Sequence, residues 1–210
     1  MDIFIYEYIN SLDISLCKCI IESYEKEEKK YEGITRGGLN KSIKNTTDFI
    51  IPYDISYNHY WNNINNILYN ELNINLHNYI IKIRKYINDN SYILFNSKCL
   101  IENTFMIQKY TKNIGHYIYH NDSSFESDRT KFRVLTYLWY LNDVEEGGET
   151  EFWGNYKIKP EAGKLLLFPS SWTFPHTGKM PISQDKYIIT GWLYLNYSSS
   201  SESSESSSSL

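Results

Sequence analysis

The sequence has few cysteines, no long apolar run and no excess of basic residues, and each absence narrows its class. The three cysteines, Cys17, Cys19 and Cys99, include no C-x-x-C pair, so we interpret them as reduced thiols. No stretch approaches the roughly 18 apolar residues of a membrane span, and no membrane partner is expected. The formal net charge of -4 argues against a nucleic-acid partner, because phosphate binding usually requires a basic surface.

A secretion signal is also absent from the first residues. The segment 1–7 begins acidic and lacks both a basic region and a small-residue cleavage site. We therefore expect a soluble protein that is located in the cytoplasm.

The composition that remains is that of a globular protein. Hydrophobic residues make up 41% and charged residues 22% of the 210 residues, which is enough for one domain with a sizeable core. We predict a single domain over residues 1–197, with a helical part at about 10–90 and a jelly-roll core at about 100–197. The Ser-rich segment 198–210 cannot bury apolar surface and is predicted to be a disordered tail.

Helical patterns are confined to the first half of the chain. Asp13 lies at a capping position before apolar residues at three- and four-residue steps, which predicts a helix that ends near Lys30. A second, longer pattern between Ser56 and Ile87 predicts one or two amphipathic helices packed against another element.

From Asn90 onward the pattern changes to short β-branched and aromatic runs separated by turn residues. Predicted strands lie near 102–111, 115–121, 132–142, 149–153, 164–168, 172–177 and 186–196, and one more is expected near 47–51. Strands without intervening helices indicate an antiparallel sandwich or jelly roll. The predicted fold class is α+β, mainly β.

Three residues with metal-binding side chains stand out in this second half. His120 and Asp122 are two apart on a predicted strand, so both side chains point to one face. His116 shares that face by alternation, but it lies about 13 Å away at roughly 3.3 Å per residue and is too far to join them. An H-x-D pair alone is weak, because a surface histidine beside an acid looks the same. His176 on a later strand supplies a third ligand, and two histidines with one carboxylate form the facial triad of non-heme iron.

Lys186 lies ten residues after His176, at the start of a predicted strand. Alternation places it on one face with Ile188, Thr190 and Trp192, which we expect to line the pocket. A lysine there is costly unless an anion compensates it. The alternative is that Lys186 extends to solvent at the end of the strand.

These residues and their surroundings resemble the prolyl 4-hydroxylase-like branch of the iron(II)/2-oxoglutarate-dependent dioxygenases, over about Met106 to Tyr194. The segments that carry the resemblance are QKY at 108–110, GHYIYHND at 115–122, RVLTYLWYLND at 133–143, VEEGGETEF at 144–152, PEAGK at 160–164, His176, and KYIITGW at 186–192. The resemblance implies a double-stranded β-helix.

The resemblance also implies an enzyme, its cofactors and its site residues. Catalytic Fe(II) would be bound by His120, Asp122 and His176, and Lys186 would bind the distal carboxylate of the co-substrate 2-oxoglutarate. Ascorbate would restore Fe(II), as it does in relatives. Further cofactor-binding residues implied with less support from the pattern are Tyr110, Tyr140, Thr136 and Trp192.

The expected reaction is the hydroxylation of a C–H bond with dioxygen, most simply of a peptidyl proline, of another protein residue or of a small molecule. Because the chain shows no separate peptide-binding domain, collagen is not the expected substrate. The segment 123–130 is predicted to be a loop facing the substrate. Two other functions stay open: a jelly-roll binding module without catalysis, and oxidation of nucleobases by the same metal chemistry.

Overall fold

The computed structural model describes residues 4–54, 58–88, 100–102, 104–125 and 131–196. In these ranges the chain forms two helices and thirteen strands. The elements are β1 Tyr6–Tyr8, α1 Ile14–Lys26, β2 Tyr31–Glu32, β3 Lys44–Asn45, β4 Thr47–Ile50, α2 His59–Ile87, β5 Leu100–Glu102, β6 Met106–Tyr110, β7 His116–His120, β8 Lys131–Tyr140, β9 Thr150–Phe152, β10 Tyr156–Ile158, β11 Leu165–Pro169, β12 His176–Gly178 and β13 Lys186–Asn196.

The strands form two antiparallel sheets. The larger sheet has the order β1-β11-β8-β13-β6-β4-β2, and β5 pairs with β13 beside that path. The smaller sheet has the order β10-β9-β12-β7-β3. The prediction of a mainly β fold with antiparallel strands is confirmed.

The larger sheet has an apolar core on each face because successive side chains along a strand point to opposite faces. On β8, Tyr137 and Trp139 share one core with the buried residues of α1 and α2. Leu138 and Tyr140, which point the other way, belong to a second core with residues of the smaller sheet. The functional side chains described below lie on this second face.

Both helices agree closely with the sequence pattern. Asp13 is the N-cap of α1, and its carboxylate accepts the backbone N–H groups of Ser15 and Leu16. The pattern also predicts a helix that runs to Lys30, but α1 ends at Lys26. The helix α2 ends at Ile87, where Asn88 takes a left-handed conformation with φ 56°.

The strand predictions are less complete. The short strands β1, β2, β3 and β10 carry no recognisable pattern, and the strand predicted over 172–177 is formed only at His176–Gly178. Two- and three-residue strands are held by their partners, as β1 is by β11, and local propensity does not reveal them.

Cys17 is buried and Cys19 is exposed, and both are free thiols. Cys99, the tail at 198–210 and residues 126–130 of the predicted substrate-facing loop lie outside the described residues. Within the described ranges, no helix is both long and apolar enough to cross a membrane.

Candidate metal and co-substrate site

A β-bulge in β7 shapes the site. His176 on β12 pairs with His120, and Gly178 pairs with Tyr117, so three steps on β7 match two on β12. The extra residue brings Tyr117 to the side of His120, and their rings stack with centroids 3.5 Å apart. Strict alternation put His116 on this face and was wrong for that reason. The His116 ring instead bonds to the carbonyl oxygen of Ile114 at 2.9 Å.

The bulge and the pairing bring His120, Asp122 and His176 together. Each offers one ligand atom, and these atoms all lie within 4.8 Å of one another. The Nε2 atoms of His120 and His176 are 3.7 Å and 3.6 Å from the carboxylate oxygens of Asp122. Two ligands that each bond to one ion at about 2.1 Å can be at most about 4.2 Å apart, and both histidine–carboxylate distances are below that limit. The chemistry and the closeness of the three side chains therefore suit one metal ion.

Hydrogen bonds fix which ring nitrogen faces this point. His120 Nδ1 lies 2.8 Å from the carbonyl oxygen of Ile118, and His176 Nδ1 lies 3.1 Å from that of Phe174. Because a carbonyl oxygen only accepts, each Nδ1 carries the proton and each Nε2 keeps a free lone pair.

The carboxylate of Asp122 is oriented in the same way. Its Oδ2 atom accepts a hydrogen bond of 2.7 Å from the Thr136 hydroxyl, which also contacts the Ser170 hydroxyl at 2.9 Å. Asp122 is only 9% exposed, so this bond supports a carboxylate that has little access to water.

The protonation states suit metal binding. Burial, together with a smaller effect of the neighbouring His176, lowers the pKa of His120 to about 4. Burial alone would raise the pKa of Asp122, but the two histidines and the Thr136 hydroxyl outweigh it and keep that pKa below its usual value. A neutral imidazole and an ionised carboxylate are the forms that bind a cation.

Lys186 lies in the same pocket and is 1% exposed. Its ammonium donates to the carbonyl oxygen of Gly148 at 3.0 Å and lies 3.8 Å from the centre of the Tyr110 ring. Burial lowers the pKa of Lys186 to about 7, although the charge of Glu149 opposes this shift. Lys186 makes no salt bridge to a described residue, and the prediction that it faces inward agrees with its burial.

The remaining predicted pocket residues take different places. Tyr110 and Trp192 line the pocket, as does Thr136. Tyr140 lies behind the pocket wall, where its hydroxyl contacts the Thr150 hydroxyl at 2.6 Å. The Trp192 Nε1 atom is buried without a hydrogen bond of normal geometry to the described residues.

Several pocket residues escaped the sequence analysis: Gln108, Tyr117, Leu138, Thr150 and Phe168. Alternation from Tyr110 would have found Gln108, and alternation from Thr136 would have found Leu138. Tyr117 could not have been found, because nothing in its neighbours signals the bulge.

A wider cleft opens beside the pocket, and Asp122 and Trp192 border both. Its aromatic walls include Tyr31, Tyr117 and Phe125. The Arg133 guanidinium lies 3.6 Å from the centre of the Trp192 ring, so a flat cation is held at the point where cleft and pocket meet.

Comparison with known families agrees with this geometry. The model of the 2OG-Fe(II) oxygenase superfamily matches residues 105–194, the stretch that holds all three metal-ligand candidates and Lys186. This match and the structural neighbours confirm the resemblance to prolyl 4-hydroxylase-like members of that superfamily. The cofactors that the family implies are Fe(II) and 2-oxoglutarate.

Solved structures share the fold at low sequence identity. A viral collagen prolyl hydroxylase from Paramecium bursaria Chlorella virus-1 has a TM-score of 0.59 and 18% identity, covering 91% of this chain and 96% of that chain. A prolyl-4-hydroxylase from Pseudomonas putida has a TM-score of 0.60 and 15% identity, covering 92% of both chains. A prolyl hydroxylase from Trichoplax adhaerens, in complex with a hypoxia inducible factor peptide, has a TM-score of 0.63 and 20% identity, covering 92% of this chain and 84% of that chain. No curated protein sequence matches the chain.

Proposed function

We propose that the chain is an Fe(II)- and 2-oxoglutarate-dependent dioxygenase that hydroxylates a C–H bond of a peptidyl proline or of another residue in a peptide. The observation that carries this proposal is one pocket that contains both the His120, Asp122 and His176 cluster and the buried Lys186. The three-residue cluster suits a divalent cation, and Lys186 provides a positive charge without a carboxylate partner among the described residues.

His120, Asp122 and His176 would hold the iron through two imidazole nitrogens and one carboxylate oxygen, a ligand set typical of non-heme Fe(II) oxygenases. When bound, Fe(II) and 2-oxoglutarate supply the oxidation, in which dioxygen gives one oxygen atom to the substrate C–H bond and one to succinate as carbon dioxide is released. The chain itself holds the ligands in place through Thr136 and the carbonyl oxygens of Ile118 and Phe174.

Lys186 would bind the distal carboxylate of 2-oxoglutarate. Thr150 lines the same pocket, and the Tyr110 ring, 3.8 Å from the ammonium, limits the space around it. Leu138 and Ile188 line the same pocket with apolar groups, which suits the methylene groups of a five-carbon diacid.

The affinity for 2-oxoglutarate should depend on pH through Lys186. In the protein without 2-oxoglutarate, the pKa of the Lys186 amine is about 7, and a bound carboxylate favours the protonated form of that amine. We therefore expect a Kd that changes little just below pH 7 and then rises by up to about tenfold per pH unit above it. Calorimetric titration with saturating Mn(II) at pH 6.5 to 9, in two buffers of different ionisation enthalpy, should also reveal proton uptake on binding. A Kd that is constant from pH 7 to 9 would contradict this assignment.

The substrate would enter through the wider cleft. Arg133 lines this cleft together with Asp122 and Trp192, and its guanidinium N–H groups could bind the carbonyl oxygens of a peptide. The Trichoplax structure contains a peptide, which supports a peptide substrate here. One structural neighbour is a viral collagen prolyl hydroxylase, of which this chain covers 96%, so collagen-like peptides belong in the substrate screen although the sequence did not favour them.

The fold proposed for this function is a double-stranded β-helix in one domain over residues 1–197, with α1 and α2 packed on the larger sheet. Three points remain predictions: ascorbate as a reductant, a cytoplasmic location, and the absence of nucleic acid among the partners.

A peptide screen tests the proposal. The protein is incubated with Fe(II), 2-oxoglutarate and a library of proline-containing peptides, and both succinate and a mass gain of one oxygen are measured. A matched library with alanine in place of proline separates proline hydroxylation from hydroxylation of other residues. A binding module would release no succinate under any condition, and a nucleobase oxidase would act only when single-stranded DNA replaces the peptides.

A further inference from the structure

The hairpin between β9 and β10 has an unusual residue at its tip. Trp153 has φ 50° and Gly154 has φ 80°, and the N–H of Asn155 donates to the carbonyl oxygen of Phe152 at 3.2 Å. This is the geometry of a type I′ turn, whose first central position favours Asn or Asp because a left-handed backbone crowds larger side chains. A tryptophan here has a conformational cost that its contacts must offset.

The Trp153 ring packs within its own hairpin on Phe152 and Tyr156, and other contacts of the hairpin tip reach the chain segments just before the two metal-ligand histidines. The Trp153 backbone N–H donates to the carbonyl oxygen of Pro175 at 3.3 Å, next to His176. The backbone N–H of Gly154 donates to the Tyr119 hydroxyl at 2.7 Å, next to His120. The tip of the hairpin therefore connects both ligand strands.

The indole adds a further connection to the segment before His176. Its Nε1–H donates to the carbonyl oxygen of Thr173 at 2.9 Å, and its ring packs on Phe174 with centroids 5.4 Å apart. Phe174 in turn provides the carbonyl oxygen that accepts the Nδ1–H of His176. Trp153 thus holds the segment Thr173–Phe174, and the carbonyl oxygen of Phe174 sets the tautomer and direction of the His176 ring.

We propose that Trp153 is a positioning residue for the metal centre, which acts through Thr173 and Phe174 to aim the Nε2 atom of His176 at the ion. This rests on the proposed function, since it assumes that His176 is a ligand. Residues that orient a ligand in this way typically change metal affinity 10- to 100-fold when they are replaced.

The test uses Trp153→Asn, because Asn-Gly is the preferred pair for this turn. The substitution keeps the backbone hydrogen bonds and removes the strain, but it also removes the indole. The matched control is Trp172→Asn, which removes the indole of a tryptophan in the segment before His176. Trp172 is 76% exposed, whereas Trp153 is 39% exposed. Mn(II) affinity is measured from the EPR signal of the free ion, and unfolding of the metal-free proteins is followed by circular dichroism.

We expect Trp153→Asn to weaken Mn(II) binding about tenfold, while the midpoint of thermal unfolding of the metal-free protein stays within about 4 °C of wild type. Trp172→Asn should bind Mn(II) as wild type does. If Trp153→Asn does not fold, Trp153→Phe keeps an aromatic ring and loses the N–H donor, and its Mn(II) affinity should fall about threefold, the effect of one lost neutral hydrogen bond.

Two results would overturn the inference: a folded Trp153 variant with wild-type affinity, or an equal loss of affinity in Trp172→Asn. Failure of the proposed function is distinguishable from both, because the wild-type protein would then bind no Mn(II) at this site.

Discussion

His176→Ala should abolish both metal binding and turnover while the protein remains folded. His176 is one of three ligands, and its replacement leaves two. These are His120, the last residue of β7, and Asp122, which follows that strand. Because loss of a residue that merely orients a ligand costs 10- to 100-fold, loss of the ligand itself should reduce Fe(II) affinity and succinate formation by more than about 100-fold. Metal content after dialysis and succinate formation are the measurements.

The matched control is His116→Ala. His116 is on the same strand as His120, but the bulge turns it away from the pocket. Outside the pocket, its ring nitrogens lie within hydrogen-bond distance of the Ile114 and Ser42 carbonyl oxygens. It should retain metal and activity. If His176→Ala keeps wild-type activity, or if His116→Ala loses as much, the assigned ligand set is wrong.

Lys186→Met should have opposite effects on co-substrate binding and on stability. The methionine fills a similar volume without the charge, so the carboxylate of 2-oxoglutarate loses a buried ionic hydrogen bond, at a cost of roughly 2 to 5 kcal/mol. This corresponds to an increase in Kd of about 30-fold or more. Calorimetric titration with saturating Mn(II) measures the loss, and Mn(II) affinity itself should stay near that of wild type.

The stability effect follows from the pKa of Lys186. Burial lowers that pKa from 10.5 to about 7, so the unfolded chain holds the proton more tightly, and the resulting cost to the folded state is fully present below pH 7 and fades as the pH rises toward 10.5. Lys186→Met removes this cost. The variant without ligands should unfold at a higher temperature than wild type at pH 7, and the difference should shrink near pH 10. A variant that loses stability at pH 7 and binds 2-oxoglutarate normally would show that Lys186 has a structural role instead.

Much of the candidate site could be predicted because its signals are local. The H-x-D pair, the later histidine and the lysine ten residues on are visible in the sequence, and the regular alternation of β13 correctly placed Ile188, Thr190 and Trp192 beside Lys186. The cap at Asp13 and the end of α2 were equally predictable, since both depend on residues within one helical turn.

The parts that were missed depend on partners distant in the chain. The bulge in β7 arises from the pairing of His120 with His176, and it reversed the expected orientations of His116 and Tyr117. Trp153 is another example, because the cost of its left-handed backbone is offset by contacts with Thr173 and Phe174, which lie about twenty residues further along the chain. Neither feature has a signature in its own neighbours, and each required the two sheets to be in place.

The central claim is that a metal ion and a diacid bind side by side in one pocket. The most direct test is the Kd of 2-oxoglutarate measured by calorimetry with saturating Mn(II) and again with the metal removed by a chelator. We predict one binding site per chain and an affinity at least about tenfold higher with Mn(II). An affinity that is the same with and without the metal would contradict the account.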